Sequence, residues 1–234
     1  MKILKNSILL VVLGFMTWML FNLYKDYDSR DALNDTARYY AEKGPDETGA
    51  ANLVTSVVVT YRGLDTLGEV TILFLVSAII GLLLKTQKGS RTTPGRATSE
   101  FMITAAKFMI PMITLIGVYV FINGHLTPGG GFQGGAILAS TFILLLISIS
   151  QNKIGHKVLE LTEALSGLSF VLIGILGVIL AAGFLDNKIL GTGTFGSLLS
   201  AGAIPIIYSL IGLKVGAELS TIILELNQVQ GKED

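Results

Sequence analysis

The sequence predicts an all-α integral membrane protein with about six transmembrane helices, and three observations favour this class. The chain of 234 residues is 51% hydrophobic and 15% charged, whereas globular domains contain about 25% charged residues. Its mean hydropathy is +0.66. It also contains several apolar stretches that approach the roughly 20 residues needed to cross the hydrocarbon core. We expect a two-helix part followed by a four-helix part.

The candidate spans differ in how clearly they stand out from their flanks. The first, fifth and sixth are the clearest, and the fourth is the shortest. In chain order the spans are Ser7–Tyr24, Leu67–Leu84, Ala105–Ile122, Gly134–Ser150, Leu165–Leu185 and Ile204–Leu224. The first follows Lys2 and Lys5 as in a signal peptide, but no small-residue cleavage pattern comes after it, so we expect a retained helix.

Basic residues predict the orientation of the spans. Lysine and arginine are more frequent in the connections that share a side with the N-terminus, chiefly through the segment Lys85–Lys107. Cytoplasmic connections of membrane proteins have such an excess. We therefore expect both termini to be cytoplasmic, with His125 and His156 on opposite sides of the membrane.

A polar, basic linker divides the sequence into two parts. Thr86–Ser99 contains Pro94-Gly95, a pair that interrupts regular structure. We expect residues 1–90 to form the two-helix part and residues 97–234 to form the four-helix part. No internal repeat is visible, which disfavours a secondary transporter built from inverted repeats.

The predicted outer connection Lys25–Asp65 is long and acidic. Within it, Asp31–Tyr40 indicates a short surface helix that Gly44-Pro45 would end. Asn52–Tyr61 is rich in β-branched residues and half apolar. This pattern is compatible with a short strand or with an interfacial amphipathic helix.

Scarce residue types exclude several kinds of chemistry. The sequence has no cysteine and two histidines, which excludes disulfides, iron–sulfur clusters, cysteine-ligated zinc and thiol nucleophiles. A bis-imidazole haem would need His125 and His156 on the same side. Basic and acidic residues balance at 17 each, so charge does not favour a nucleic-acid partner. We predict no catalytic residues, no metal site and no cofactor on this chain.

The segment Tyr61–Glu69 leads into the second span. Thr66 followed three residues later by Glu69 matches a capping box, and Arg62 is placed to pair with Asp65. The alternative is functional: Glu69 would lie at the rim of the outer membrane face and belong to an ion path.

A glycine-rich segment joins the third and fourth spans. It lacks the lysine of a phosphate-binding loop, and no strand precedes it. Glycines permit positive φ and close backbone approach, so this backbone could re-enter the protein where it is covered or lines a cavity. His125 would then be a titratable group near an ion path, with a structural role as the alternative. The other candidate residues of the loop are Pro128, Gly129, Gly130, Gly131, Phe132, Gly134 and Gly135.

Lys214 and Glu218 are the charged residues nearest the middle of the sixth span. A charge at that depth costs roughly 3 to more than 10 kcal/mol, and residues four apart share a helix face. The pair is either a packing element or a proton or sodium relay. Glu163 and Glu225, at helix ends, are expected to be solvated. The ammonium group of Lys107 is expected to reach the membrane interface because the lysine side chain is long.

Glycines within the spans predict close helix packing. Gly174, Gly177 and Gly183 lie in the predicted fifth span, and Gly212 and Gly216 form a G-x-x-x-G motif in the sixth.

Two motifs carry a family resemblance. Gly124–Gly135 (GHLTPGGGFQGG) and Gly212–Ser220 (GLKVGAELS), within Ala97–Gln228, resemble the B subunit of the Mrp multisubunit sodium/proton antiporters and its counterpart in membrane-bound hydrogenases and sulfur-reducing complexes. Asn52–Leu84 looks like the C-terminal end of the large A subunit of these antiporters. The antiporters normally have these two pieces on different chains, so their fusion is a departure.

The resemblance implies a transport subunit, not an enzyme, in the cytoplasmic membrane of a prokaryote. It implies partnership with other antiporter-like membrane subunits, with Na⁺ and H⁺ as the transported ions. Hydrogenase or iron–sulfur subunits would be further partners if the assembly is a redox complex, and any redox catalysis would lie on them. The hypothesis is an ion pathway through Lys214, Glu218, Glu69 and His125. Its rivals are a structural scaffold that moves no ions and a self-sufficient channel or carrier.

Overall fold

The structure is a computed structural model that describes residues 2–27, 32–85, 99–148 and 156–230. Regular structure in these residues is helical, which confirms the predicted fold class. The elements are α1 (Lys2–Lys25), α2 (Asp35–Thr48), α3 (Leu53–Thr55) running into a π-helix (Ser56–Tyr61), α4 (Gly63–Lys85), α5 (Glu100–Ile122), α6 (Gly131–Ser148), α7 (His156–Leu180), a 3₁₀ turn (Asn187–Ile189) and α8 (Ile204–Gln230).

Six helices in the described residues are long and apolar enough to cross a membrane. They are α1, α4, α5, α6, α7 and α8. The predicted linker Thr86–Ser99 lies, except for Ser99, outside the described residues.

The chain divides into two units, residues 1–38 and residues 39–234. In the first unit, α1 is an apolar helix whose large side chains, among them Trp18 and Phe21, are exposed. A helix that is apolar on all sides needs lipid or other protein around it.

Helix α8 lies at the centre of the second unit. It packs against α4, α5, α6 and α7. In its most apolar stretch 56% of the residues are buried, compared with at most 33% in the other spans. Ile204, Ile207, Ile211 and Val215 are all buried, and their spacing of three or four residues places them in one stripe. A charged residue in this part of α8 is therefore surrounded by protein.

Two predicted helix ends and one predicted alternative are wrong. Helix α2 does not end at Gly44-Pro45 but continues to Thr48, whose hydroxyl donates to the Gly44 carbonyl at 2.7 Å. A proline inside a helix lacks an N–H and its ring crowds the carbonyl four residues before it, yet here the Pro45 carbonyl still accepts a hydrogen bond from Gly49 N at 2.9 Å. The strand alternative for Asn52–Tyr61 also fails, because this segment is helical.

The other wrong helix end is that of the fifth span, because α7 ends at Leu180 and leaves Gly183 outside it. The chain then folds back on the helix, with buried Leu185 at a φ of 60°. A Cβ on Gly174 would lie 2.3 Å from the Phe184 ring, and one on Gly177 would lie 2.6 Å from the Gly183 carbonyl oxygen. These two glycines leave room for the returning chain rather than for another helix.

Candidate ion-pathway site

Lys214 and Glu218 form an ion pair inside the helix bundle. Their side chains are one helical turn apart on α8, and Lys214 Nζ lies 2.5 Å from Glu218 Oε1. The Lys214 side chain is 10% exposed and that of Glu218 is fully buried. The two charges therefore compensate each other where solvent cannot.

A groove between α4 and α7 reaches the Lys214 side of this pair. Its volume is about 420 Å³, and its lining includes Leu67 and Phe74 from α4, Glu163 and Gly167 from α7, and Lys214. The walls are mostly apolar, so the charged groups are concentrated at a few positions. Glu218 is fully buried and does not line the groove, so the groove reaches the pair at Lys214.

Two contacts hold the Lys214 side chain in the groove. Its ammonium lies 5.1 Å from the centroid of the Phe74 ring, within the range of a cation–π interaction. Its stem passes over Gly167, where an added Cβ would come within 3.4 Å of Cδ. Both contacts are non-local, and neither Phe74 nor Gly167 was predicted from the sequence.

The expectation that Glu163 and Glu225 are solvated is wrong. Glu163 is half-buried and lines the groove with Lys214. Glu225 is 8% exposed, and its Oε1 lies 3.2 Å from Nε2 of His156. The other imidazole nitrogen, Nδ1, lies 3.4 Å from Oε1 of Glu160. The reason is that α7 and α8 pack together and bring the start of one helix against the end of the other.

His125 is fully buried. Its Nε2 lies 3.3 Å from the Ser197 carbonyl oxygen, and Nδ1 has no hydrogen-bond partner among the described residues. Burial lowers the pKa of this imidazole, because removal from water disfavours the charged form. His125 does not line the groove beside Lys214.

The glycines after the loop allow helices to touch backbone to backbone. Added Cβ atoms would lie 2.6 Å from Ile211 at Gly131, 2.7 Å from the Gly117 carbonyl oxygen at Gly134, and 2.8 Å from the Gly212 carbonyl oxygen at Gly135. These glycines belong to the first turns of α6. Positive φ is not their purpose, since none of the glycines between positions 124 and 135 has it.

Two polar residues ahead of the second span fix the loop. Asn52 Nδ2 donates to the carbonyls of Gly124 (2.8 Å) and Thr127 (3.0 Å), and Asn52 N donates to the His125 carbonyl at 2.9 Å. Thr55 donates to the Gly124 carbonyl at 2.6 Å and accepts from Tyr208 at 3.1 Å. Neither role was predicted from the sequence, although Asn52 is a favoured helix N-cap type and does cap α3.

The predicted outer-rim motif forms in part. Arg62 Nη2 lies 2.5 Å from Asp65 Oδ2, as expected. Thr66 is not an N-cap, because α4 begins at Gly63 and the Thr66 hydroxyl instead donates to the Val58 carbonyl at 2.7 Å. Glu69 is exposed on α4 and does not line the groove. The structure thus brings Lys214 and Glu218 together and leaves Glu69 and His125 apart from them.

The six membrane-length helices among the described residues define the chain as a multipass membrane protein. Residues 101–221 match the MnhB family, described as a domain related to the MnhB subunit of the Na+/H+ antiporter. Residues 4–98 match the MbhE family, described as the E subunit of MBH. The chain therefore belongs to the family of MnhB-related proteins, which confirms the resemblance seen in the sequence.

Solved structures and curated relatives support this family assignment. A chain of the membrane-bound sulfane sulfur reductase, an archaeal respiratory membrane complex, is 40% identical with a TM-score of 0.80, over 95% of this chain and 98% of that one. An uncharacterized protein of Methanocaldococcus jannaschii is 36% identical over 73% of this chain and 74% of its own length. The B subunit of the Na(+)/H(+) antiporter of Bacillus subtilis is 33% identical over 39% of this chain and 54% of its own length.

A chain of the Mrp complex from Dietzia sp. DQ12-45-1b shares the fold, with a TM-score of 0.73 and 23% identity. The match covers 96% of this chain and 26% of that one.

Proposed function

We propose that this chain is a transport subunit that forms part of a sodium or proton route in the prokaryotic cell membrane, next to other antiporter-like subunits. The observation that carries the proposal is the position of Lys214, which lines the groove while its partner Glu218 lies buried behind it. Charges at this depth are expensive, and where they occur in membrane proteins they commonly mark ion pathways.

The groove gives the pair a way to exchange charge with its surroundings. Its lining comes from α4 and α7, helices whose outer residues such as Ile72 and Leu168 are exposed. These surfaces face lipid or partner subunits in a membrane. Lys214 would relay one proton per cycle if its ammonium donates a proton to a base in the groove and the resulting amine takes up a proton from the Glu218 carboxyl group.

Glu69 and His125 belong to the proposal as outlying stations. Glu69 would attract cations at the rim of the outer face. His125, together with Pro128 and the glycines up to Gly135, would shape the exit.

The test uses the complete complex in everted membrane vesicles, with proton movement followed by a pH-sensitive dye and sodium by tracer uptake. We expect Lys214→Ala and Glu218→Gln to reduce ion movement at least tenfold while the complex still assembles. Lys107→Ala is the matched control, because Lys107 is an exposed lysine in another span, α5. Normal transport in assembled Lys214→Ala would remove the pair from the pathway, and failure of every variant to assemble would favour the scaffold.

The assembly itself is proposed to be the membrane arm of a redox complex. The supporting observation is the 40% identity to a sulfane sulfur reductase chain over 98% of that chain's length. Co-purification in mild detergent would retain iron–sulfur or hydrogenase-like subunits. A purified complex containing only antiporter-like subunits would instead indicate a free-standing antiporter.

A further inference from the structure

We propose that Glu163 links the Lys214–Glu218 pair to the membrane surface where α7 begins, and that Glu160, His156 and Glu225 form the proton entrance there. This inference rests on the proposed function and names residues that it does not use. His156, Glu160 and Glu163 follow one another along α7, and Glu225 and Lys214 lie on α8, which packs against α7.

The inner step of this route is the groove. Glu163 and Lys214 both line it, and opposite charges attract each other strongly where the surrounding walls are apolar. Glu163 is one turn before Gly167, so both lie on the face of α7 that the lysine stem crosses. Lys214 therefore has one carboxylate behind it, Glu218, and one on its groove side, Glu163.

The next step runs along α7. Glu160 is three residues before Glu163, lines the same groove, and also interacts electrostatically with it. Side chains three apart on a helix are neighbours. The Glu160 side chain is 64% exposed, so it meets solvent or lipid headgroups while Glu163 is half-buried. A proton taken up by Glu160 can move to the carboxylate of Glu163, one helical turn further along α7.

The entrance is fixed by His156. Its two nitrogens face different carboxylates, Nδ1 toward Glu160 at 3.4 Å and Nε2 toward Glu225 at 3.2 Å. An imidazole can accept a proton at one nitrogen and release one from the other. Buried Glu225 acts as a positioning residue, because it holds the ring so that the opposite nitrogen faces Glu160.

Helix length places this cluster at the membrane surface. Helix α7 has 25 residues and is thus about 37 Å long, more than the roughly 30 Å of the hydrocarbon core. His156 is its first residue and Glu160 lies in the next turn, so both reach the interface. The basic residues of the sequence predict that this face is cytoplasmic.

The decisive experiment compares Glu163→Gln with Glu163→Asp in the complete complex. Glutamine keeps the size and the hydrogen bonding but cannot take up a proton, whereas aspartate can. We expect at least a tenfold slower proton movement in everted vesicles with E163Q, and at least half of the normal rate with E163D. Glu100→Gln is the control, because Glu100 is an exposed carboxylate at the start of another span.

Assembly is measured in parallel by native gel electrophoresis. Normal proton movement in assembled E163Q would overturn the proposal. If E163Q does not assemble, the deciding variant is Glu160→Gln, because the exposed Glu160 is not needed for packing. Slow proton movement in this variant supports the proposed entrance, and a normal rate overturns it. The proposed function is refuted separately, by normal transport in Lys214→Ala. Loss of transport in Lys214→Ala together with normal transport in E163Q refutes only the route through Glu163.

Discussion

The side-chain amide of Asn52 donates to the backbone carbonyl of Gly124 at 2.8 Å, across 72 residues of sequence. Asn52 lies in the segment that matches the MbhE family, and Gly124 lies in the MnhB-related domain. Thr55 donates to the same carbonyl oxygen. The two family segments therefore meet at the glycine-rich loop, and His125 is held at that joint.

Replacement of Asn52 by alanine tests this joint. The change removes two hydrogen bonds to loop carbonyls and the cap of α3, so we expect a loss of unfolding free energy on the order of 1 to 3 kcal/mol. Thermal unfolding of the purified protein in detergent measures it. Asn22→Ala is the control, because the Asn22 amide bonds only locally, to the Trp18 carbonyl on exposed α1. Equal effects of the two changes would contradict the assignment.

A single added methyl group tests the backbone contact between α6 and α8. Gly135→Ala would bring its Cβ within 2.8 Å of the Gly212 carbonyl oxygen and the Val215 side chain, so the helices must separate. We expect a loss of about 1 to 3 kcal/mol, typical of overpacking. Gly81→Ala meets no atom within 4 Å and should leave the unfolding midpoint unchanged or raise it, since alanine favours helix. An unfolding midpoint of Gly135→Ala that matches that of Gly81→Ala would refute the contact.

A double substitution separates packing from transport at the buried pair. Removing one partner strands the other charge, at a cost of about 3 to 5 kcal/mol, while neutralising both is far less costly. We therefore expect Lys214→Met with Glu218→Gln to assemble better than Glu218→Gln alone and still fail to move ions. Native gels and vesicle transport assays measure the two properties. Recovery of transport together with assembly would show that the pair only packs.

Acid should weaken the fold through His125. Burial lowers its pKa below the value in the unfolded chain, so the neutral form contributes stability that is complete above about pH 6.5 and declines as the pH falls below it. One such group changes the unfolding free energy by at most about 1.4 kcal/mol per pH unit. Unfolding midpoints between pH 7.5 and 5.5 should fall less steeply in His125→Gln. Parallel curves for the two proteins would contradict a neutral buried imidazole.

Much of the fold was predictable, because spans depend on local composition. The apolar stretches coincide with the membrane-length helices, and the spacing of four residues predicted that Lys214 and Glu218 share a face of α8. Helix starts were mispredicted where an unexpected neighbouring element intervenes. Thr66 looked like a cap, but its hydroxyl bonds to the Val58 carbonyl of the preceding π-helix, and no capping rule anticipates that helix.

The surroundings of the buried pair were not predictable in this way. Phe74 and Glu163 approach Lys214 from two other helices, and a single sequence does not reveal which helix faces pack together. The prediction that Glu225 is solvated failed for the same reason. A glutamate near a helix end is usually hydrated, but here the start of α7 covers it with His156.

The joint between the two family segments uses amide, hydroxyl and carbonyl groups, with Asn52, Thr55 and Tyr208 as the side chains. Salt screens interactions between charges, but it acts little on hydrogen bonds between neutral groups. The cohesion of this joint is therefore insulated from the ionic composition of its surroundings. A change of charge at Lys214, Glu218 or Glu163 would therefore leave in place the contact that holds the two segments in register.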